Sequence, residues 1–176
     1  MQKSFIIFIF IGLALISTLF AQHQKQKQQT AQTTTKVLLP HFSLPDVRGV
    51  KQPISNWQGK ILIINFWATW CPPCLDEIPG FIELQKKYAD KNVQFIGIAI
   101  DKTDLVVDYL KTLNINYPIL IAEENGEELV VQLGNSMKVV PYTLIVNPSN
   151  QIIYQHPGDL TKKELREQIT PLIPLN

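Results

Sequence analysis

Hydrophobic positions along this chain come in short blocks whose period changes from one block to the next. Ile61 to Phe66 is a nearly unbroken apolar run, the pattern of a central strand buried on both faces. From Pro73 or Cys74 the period lengthens. Leu75, Ile78, Phe81, Ile82, Leu84 and Tyr88 then fall on one side of a helix ending near Tyr88. Pro79 lies inside this helix and predicts a kink rather than a stop. Val93 to Ile100 is the next buried strand, Thr103 to Leu113 a helix, Tyr117 to Ile121 a short extended piece, and Glu127 to Leu133 a short helix. Tyr142 to Asn147 and Gln151 to Tyr154 flank Asn147-Pro148-Ser149-Asn150 and read as a hairpin. Thr161 with Glu164 forms a capping box that opens a last helix. Leu38 to Leu44, broken by Pro40 and Pro45, reads as an edge or entry segment. Strands alternating with helices and closing on a hairpin predict an α/β fold, a central mixed sheet flanked by helices on both faces.

The first thirty-six residues follow other rules. Lys3 precedes Phe5 to Phe20, sixteen residues of almost continuous apolar character. A charged start followed by such a run is the grammar of a secretory signal, and it falls just short of a comfortable bilayer span. Ala21 suits the last position before cleavage, whereas Leu19 is a poor small-residue partner for it. Residues 1–21 therefore read equally as a cleaved signal peptide or a retained N-terminal membrane anchor. Gln22 to Lys36 is almost entirely Gln, Lys, Thr and Ala. It has no apolar area to bury, so residues 22–36 read as a disordered polar linker. Residues 37–176 remain as one folded domain, and no internal repeat or second domain is visible.

Composition adds limits. A hydrophobic content of 45% is enough for a core, and a net charge of +1 gives no reason to expect nucleic acid. Both cysteines of the chain, Cys71 and Cys74, sit two residues apart where the central strand gives way to a helix. That placement is a redox signature, because the positive end of a helix stabilises a thiolate and the second thiol can close a small disulfide. A purely structural disulfide around so small a loop would add only about 2 kcal/mol. A zinc site needs four ligands, and His23, His41 and His156 are scattered without metal spacing. No metal and no cofactor is expected.

Asn65-Phe66-Trp67-Ala68-Thr69-Trp70-Cys71-Pro72-Pro73-Cys74 resembles the active-site segment of the thioredoxin superfamily. It is most similar to the TlpA-like branch of exported thiol–disulfide oxidoreductases, the cytochrome c biogenesis type. Pro79, Val140-Pro141 and the run Leu144 to Asn150 leading into Gln151-Ile152-Ile153 extend the likeness, which covers about Val37 to Ile173. The thioredoxin-like fold is the architecture it implies.

The residues suggest roles. Cys71 at the helix start is the expected nucleophile, the more accessible of the two thiols. Pro72 and Pro73 lack N–H groups, which leaves the Cys74 N–H as the nearest backbone donor to its sulfur. Cys74 is the expected buried resolving thiol. Thioredoxins proper carry a buried Asp where this chain has Asn65, and an amide cannot accept a proton. Glu77 lies three residues after Cys74 on the same helical face, and TlpA-like reductases carry a glutamate at this offset. It is the expected proton acceptor, while Asp76 faces elsewhere and Asp101 is a weaker candidate. Pro141 resembles the superfamily's cis-proline, which implies that Val140 presents its N–H and C=O to an extended partner. Trp70 is expected on the rim where a partner lies, Trp67 in the core, and Trp57 as a packing residue.

The resulting expectation is an exported enzyme, a protein disulfide reductase at the periplasmic or other extracytoplasmic face, anchored or soluble. The resemblance implies partners such as apocytochrome c or a copper-site protein, electrons from a membrane thiol donor, and contact with the membrane through the N-terminal segment if it is uncleaved. A disulfide-donating oxidant of the same fold is the alternative. A peroxiredoxin needs Pro-x-x-x-Thr-x-x-Cys, and Ile64 and Ala68 occupy those places. A copper-site assembly protein wants Cys-x-x-x-Cys, one residue longer than the spacing here.

Overall fold

The computed structural model describes residues 37–123 and 125–174. The expected signal or anchor (1–21) and the expected linker (22–36) lie outside the described residues. In chain order the elements are β1 (Ser43–Pro45), β2 (Lys51–Pro53), β3 (Ile61–Trp67), α1 (Pro72–Tyr88), β4 (Val93–Ala99) and α2 (Thr103–Leu110). There follow β5 (Ile119–Ile121), α3 (Asn125–Gln132), β6 (Tyr142–Val146), β7 (Ile152–Pro157) and α4 (Lys162–Ile169). The strands of the main sheet lie in the order β5-β4-β3-β6-β7. β4 is parallel to β3 and to β5, whereas β6 is antiparallel to β3 and to β7. This is the mixed sheet of the thioredoxin-like fold.

Helices cover both faces of the sheet, which is why every residue of β3 is buried. Alternation along β3 sends Ile61, Ile63 and Trp67 to one side, where Ile78, Phe81 and Leu84 of α1 meet Leu165 and Ile169 of α4. Leu62, Ile64 and Phe66 go to the other side, against Leu129 and Val130 of α3 with Leu39 and Ile54. The same parity puts Asn65 under α1. Register then sets Thr143 of β6 directly opposite Asn65. Two polar side chains thus face the underside of α1 in an otherwise apolar layer.

Several boundaries differ from the sequence expectation, each for a local reason. The helix expected to reach Leu113 ends at Leu110, where the Thr112 hydroxyl donates to the Tyr109 carbonyl at 2.7 Å and closes the turn. Tyr117 to Ile121 pairs as strand only over Ile119–Ile121. Beside it, β4 keeps an uncovered stretch, and there Gln85 of α1 reaches over so that its side-chain oxygen accepts the Phe95 N–H at 2.7 Å. β1 and β2 form a small hairpin that no hydrophobic period announces. Just past the end of α3 the chain turns at Gly134, with φ +96°, where an added Cβ would stand 2.8 Å from the Gln155 amide. The capping box at α4 is present as expected, with Thr161 and Glu164 exchanging hydrogen bonds.

Candidate active site

From the end of β3 the chain turns through Ala68, Thr69 and Trp70 into Cys71, the N-cap of α1. The turn is braced from the neighbouring strand. The Thr69 N–H donates to Asp101 Oδ2 at 3.0 Å, and the Thr69 hydroxyl donates to the same oxygen. Asp101 Oδ1 accepts the Lys102 N–H at 2.8 Å. Asp101 therefore acts on the shape of the turn before the cysteines.

Cys71 and Cys74 are joined in a disulfide. This form buries both, with 4% of Cys71 exposed and none of Cys74, so only the first sulfur-bearing residue keeps any contact with solvent. Pro72 and Pro73 occupy the first turn of α1 and carry no N–H. The Cys74 N–H is left to donate to Cys71 Sγ, at 3.3 Å. A helix N-terminus with its positive end on that sulfur can stabilise a thiolate there.

Glu77 is 7% exposed, on the face of α1 that it shares with Cys74. Its Oε1 accepts the Leu160 N–H, and its Oε2 accepts the Asn65 amide N–H at 3.3 Å. Asn65 Nδ2 also donates to Thr143 Oγ1 at 3.0 Å. Burial raises the Glu77 pKa from its ordinary 4.5 to about 8; the bonds from Leu160 and Asn65 pull against this, and the charge of Asp159 adds to it. Glu77 also lines a cleft of about 400 Å³ between α1 and the start of α4, shared with Asp76, Asp159 and Lys162. It is therefore a largely buried carboxyl with a route to solvent. Asp76, by contrast, is exposed.

Val140-Pro141 is a cis peptide immediately before β6. Tyr142 pairs with Phe66, so this peptide lies level with the end of β3, beside the turn that carries the cysteines. Val140 packs against the cluster that contains Cys71 and Cys74. Trp70 is 65% exposed and Trp67 only 1%. Trp57 is half-buried against the α3-side core. The structure thus gathers Cys71, Cys74, Glu77, Trp70, Val140 and Pro141 at one end of the sheet.

Two contributors to this site, Leu160 and Thr143, have no local signal in the chain, and neither has the burial of Asn135 outside it. Leu160 reaches Glu77 through its backbone across 83 residues. Thr143 meets Asn65 across 78, and only the pairing of β6 with β3 could have placed it there. Asn135 is a buried polar residue in the loop that leads to Val140.

A disulfide at the N-cap of a helix, on a mixed sheet and beside a cis-proline, defines a thiol–disulfide oxidoreductase of thioredoxin fold. The chain belongs to the Redoxin family, whose model matches residues 32–169. It is 31% identical over 136 residues to the thiol-disulfide oxidoreductase ResA of Bacillus thuringiensis subsp. konkukian, covering 77% of this chain and 76% of that one. To the thioredoxin-like protein YneN of Bacillus subtilis it is 32% identical over 136 residues, covering 74% and 75%. Among solved structures it is similar to a thioredoxin family thiol:disulfide interchange protein from Chlorobium tepidum. The TM-score is 0.72 at 27% identity, over 81% of this chain and all of that one. These relatives agree with the TlpA-like resemblance of residues 65–74.

Proposed function

We propose that this enzyme is exported and works as a reductant of protein disulfides, with Cys71 as nucleophile, Cys74 as resolving thiol and Glu77 as proton acceptor. The observation that carries this reading is the buried Glu77 on the Cys74 face of α1, at the wall of the cleft beside Asp159. In the reduced form the Cys71 thiolate attacks one sulfur of a partner disulfide. A bond forms between the two sulfurs, and the partner's other sulfur leaves as a thiolate that takes a proton from solvent. Cys74 then gives its proton to Glu77 and attacks the Cys71 sulfur. The Cys71–Cys74 bond forms, the second partner sulfur leaves as a thiolate, and two electrons have passed to the partner. A carboxyl with an acidity near that of a thiol is matched to this transfer, whereas an ordinary surface glutamate would be too weak a base.

Trp70, Val140 and Pro141 supply the surface on which the partner lies. The domain of residues 37–176 carries the chemistry, residues 1–21 direct export or anchor it, and residues 22–36 tether it. In an extracytoplasmic setting, apocytochrome c or copper-site cysteines are fitting substrates, and a membrane thiol donor must restore the dithiol. The test is the reduction potential of the Cys71–Cys74 pair, measured against dithiothreitol and glutathione buffers. A value below about −200 mV supports reduction; one near about −120 mV would make the chain a disulfide donor. Fractionation of the source cells checks export, and a cytoplasmic chain with Met1 intact would overturn that part.

A further inference from the structure

We propose that Asn135 is a positioning residue for the partner-binding edge, holding the Val139 carbonyl so that the Val140 N–H and C=O stay open to the main chain of a partner. The inference rests on the reading of this chain as an enzyme that acts on protein disulfides.

Asn135 is 4% exposed, and its Nδ2 donates to the Val139 carbonyl at 2.7 Å. Its Oδ1 is buried and has no hydrogen-bond partner among the described residues. Exchanging the two amide atoms would set oxygen against oxygen at Val139, so the orientation is fixed by chemistry. An acceptor left unpaired in the interior is a standing cost, and an apolar residue would avoid it. The side chain is not needed for the end of α3 either. The backbone N–H of Asn135 bonds to the Val130 carbonyl and its backbone C=O accepts the Lys138 N–H, both independent of the side chain. What the amide alone does is bind Val139.

On the far side of Val140 the Pro141 carbonyl accepts the Gly158 N–H at 2.8 Å. The Val139 and Pro141 carbonyls on either side of Val140 are thus both tied. The Val140 N–H and C=O between them engage no hydrogen-bond partner among the described residues. A short open edge held at both ends is what an extended peptide needs in order to bind by main-chain hydrogen bonds. Met137 and Val139, 71% and 37% exposed on the same loop, and Trp70 across the cysteine turn offer apolar contacts around it. The occupant this fits is an extended strand around a partner cysteine, read through its backbone with little demand on its sequence.

The test compares a protein disulfide with a small one. Reduced parent, Asn135→Asp and Asn135→Ala are each mixed with excess insulin or with dithiobis-nitrobenzoate, and single turnovers are followed over a range of concentrations. Asn135→Asp keeps the size of the side chain but replaces the donor with a second acceptor. We expect the half-saturating insulin concentration to rise about tenfold in both variants, as for loss of a well-placed hydrogen bond. The limiting rate, the rate with the small disulfide and the reduction potential should stay within about twofold. Unchanged insulin saturation in both variants would overturn the proposal, and so would an equal loss with both substrates, which would mark a merely structural role. Parent that reduces the small disulfide but not insulin would overturn the protein-disulfide reading itself, and this inference with it.

Discussion

Asn65 donates a hydrogen bond to Glu77 Oε2 across 3.3 Å of buried space, from the strand under the helix to the carboxyl above it. The residue that takes the place of an acid in this site therefore serves as a donor to the acid that remains. An amide at Asn65 favours the ionised form of Glu77 and moderates the effect of burial.

Asn65→Ala removes that donor and leaves Thr143 Oγ1 without its partner as well. Glu77 should then hold its proton above the present value of about 8. Carbonyl-stretch titration by infrared spectroscopy, with Glu77→Gln as the blank, should show the midpoint moving up. Denaturant unfolding should show a loss of about 1–3 kcal/mol for the unpaired polar groups. A midpoint that does not move would remove Asn65 from the control of Glu77.

Glu77→Gln should separate the two thiol steps. Attack by Cys71, read from alkylation of the reduced protein, should change little. The resolving step should slow by about a hundredfold near neutral pH, the usual scale of general-base assistance. In the parent this step should rise with pH as Glu77 ionises through about 8. Equal profiles for parent and variant across about pH 6 to 9 would leave Glu77 without a chemical role.

The same substitution bears on stability, with a definite sign. Glu77 binds its proton more tightly in the folded state, at about 8, than in the unfolded chain, near 4.5. Between those values the folded state holds more protons, so stability falls as pH rises and levels off above about 8. The slope from this group is at most about 1.4 kcal/mol per pH unit. Thermal unfolding across that range should show Glu77→Gln gaining on the parent with each step up in pH. Parallel curves would mean that Glu77 is already ionised when buried.

Roles of the cysteines can be read directly. Limited alkylation of the reduced protein should label Cys71 before Cys74, and Cys74→Ser should trap a partner through Cys71. Preferential labelling of Cys74 would reverse the assignment.

Much of the fold was legible because it is written in runs. The apolar block of β3, the helical face from Ile78 to Tyr88 and the Thr161–Glu164 box each carry their own local physics. The cysteines announce themselves by residue type and spacing, whereas the Val140-Pro141 pair was legible only through the family resemblance. The hairpin of β1 and β2 did not, since three-residue strands containing Pro45 and Pro53 are too short to show a period. The surroundings of Glu77 were hidden for another reason. Leu160 contributes only a backbone N–H, which any residue but proline possesses, and Thr143 is a common strand residue until its register is known. Asn135 looked like one more polar loop residue because its burial depends on how α3 and β6 close around it.

The reach of Gln85 to Phe95 has a consequence outside the chemistry. β5 pairs with β4 only from Gly97 to Ala99, so the earlier part of β4 forms an outer margin of the sheet. A bare margin of this kind can recruit a strand from another molecule and seed assembly at high concentration. Gln85 occupies the Phe95 N–H with a side chain, and Gln94 turns its own amide onto the Phe95 carbonyl at 2.9 Å. Both backbone polar groups of Phe95 are closed to a stranger. The margin of the sheet beside β5 is therefore blunted at Phe95, a place separate from Val140, which precedes the interior strand β6.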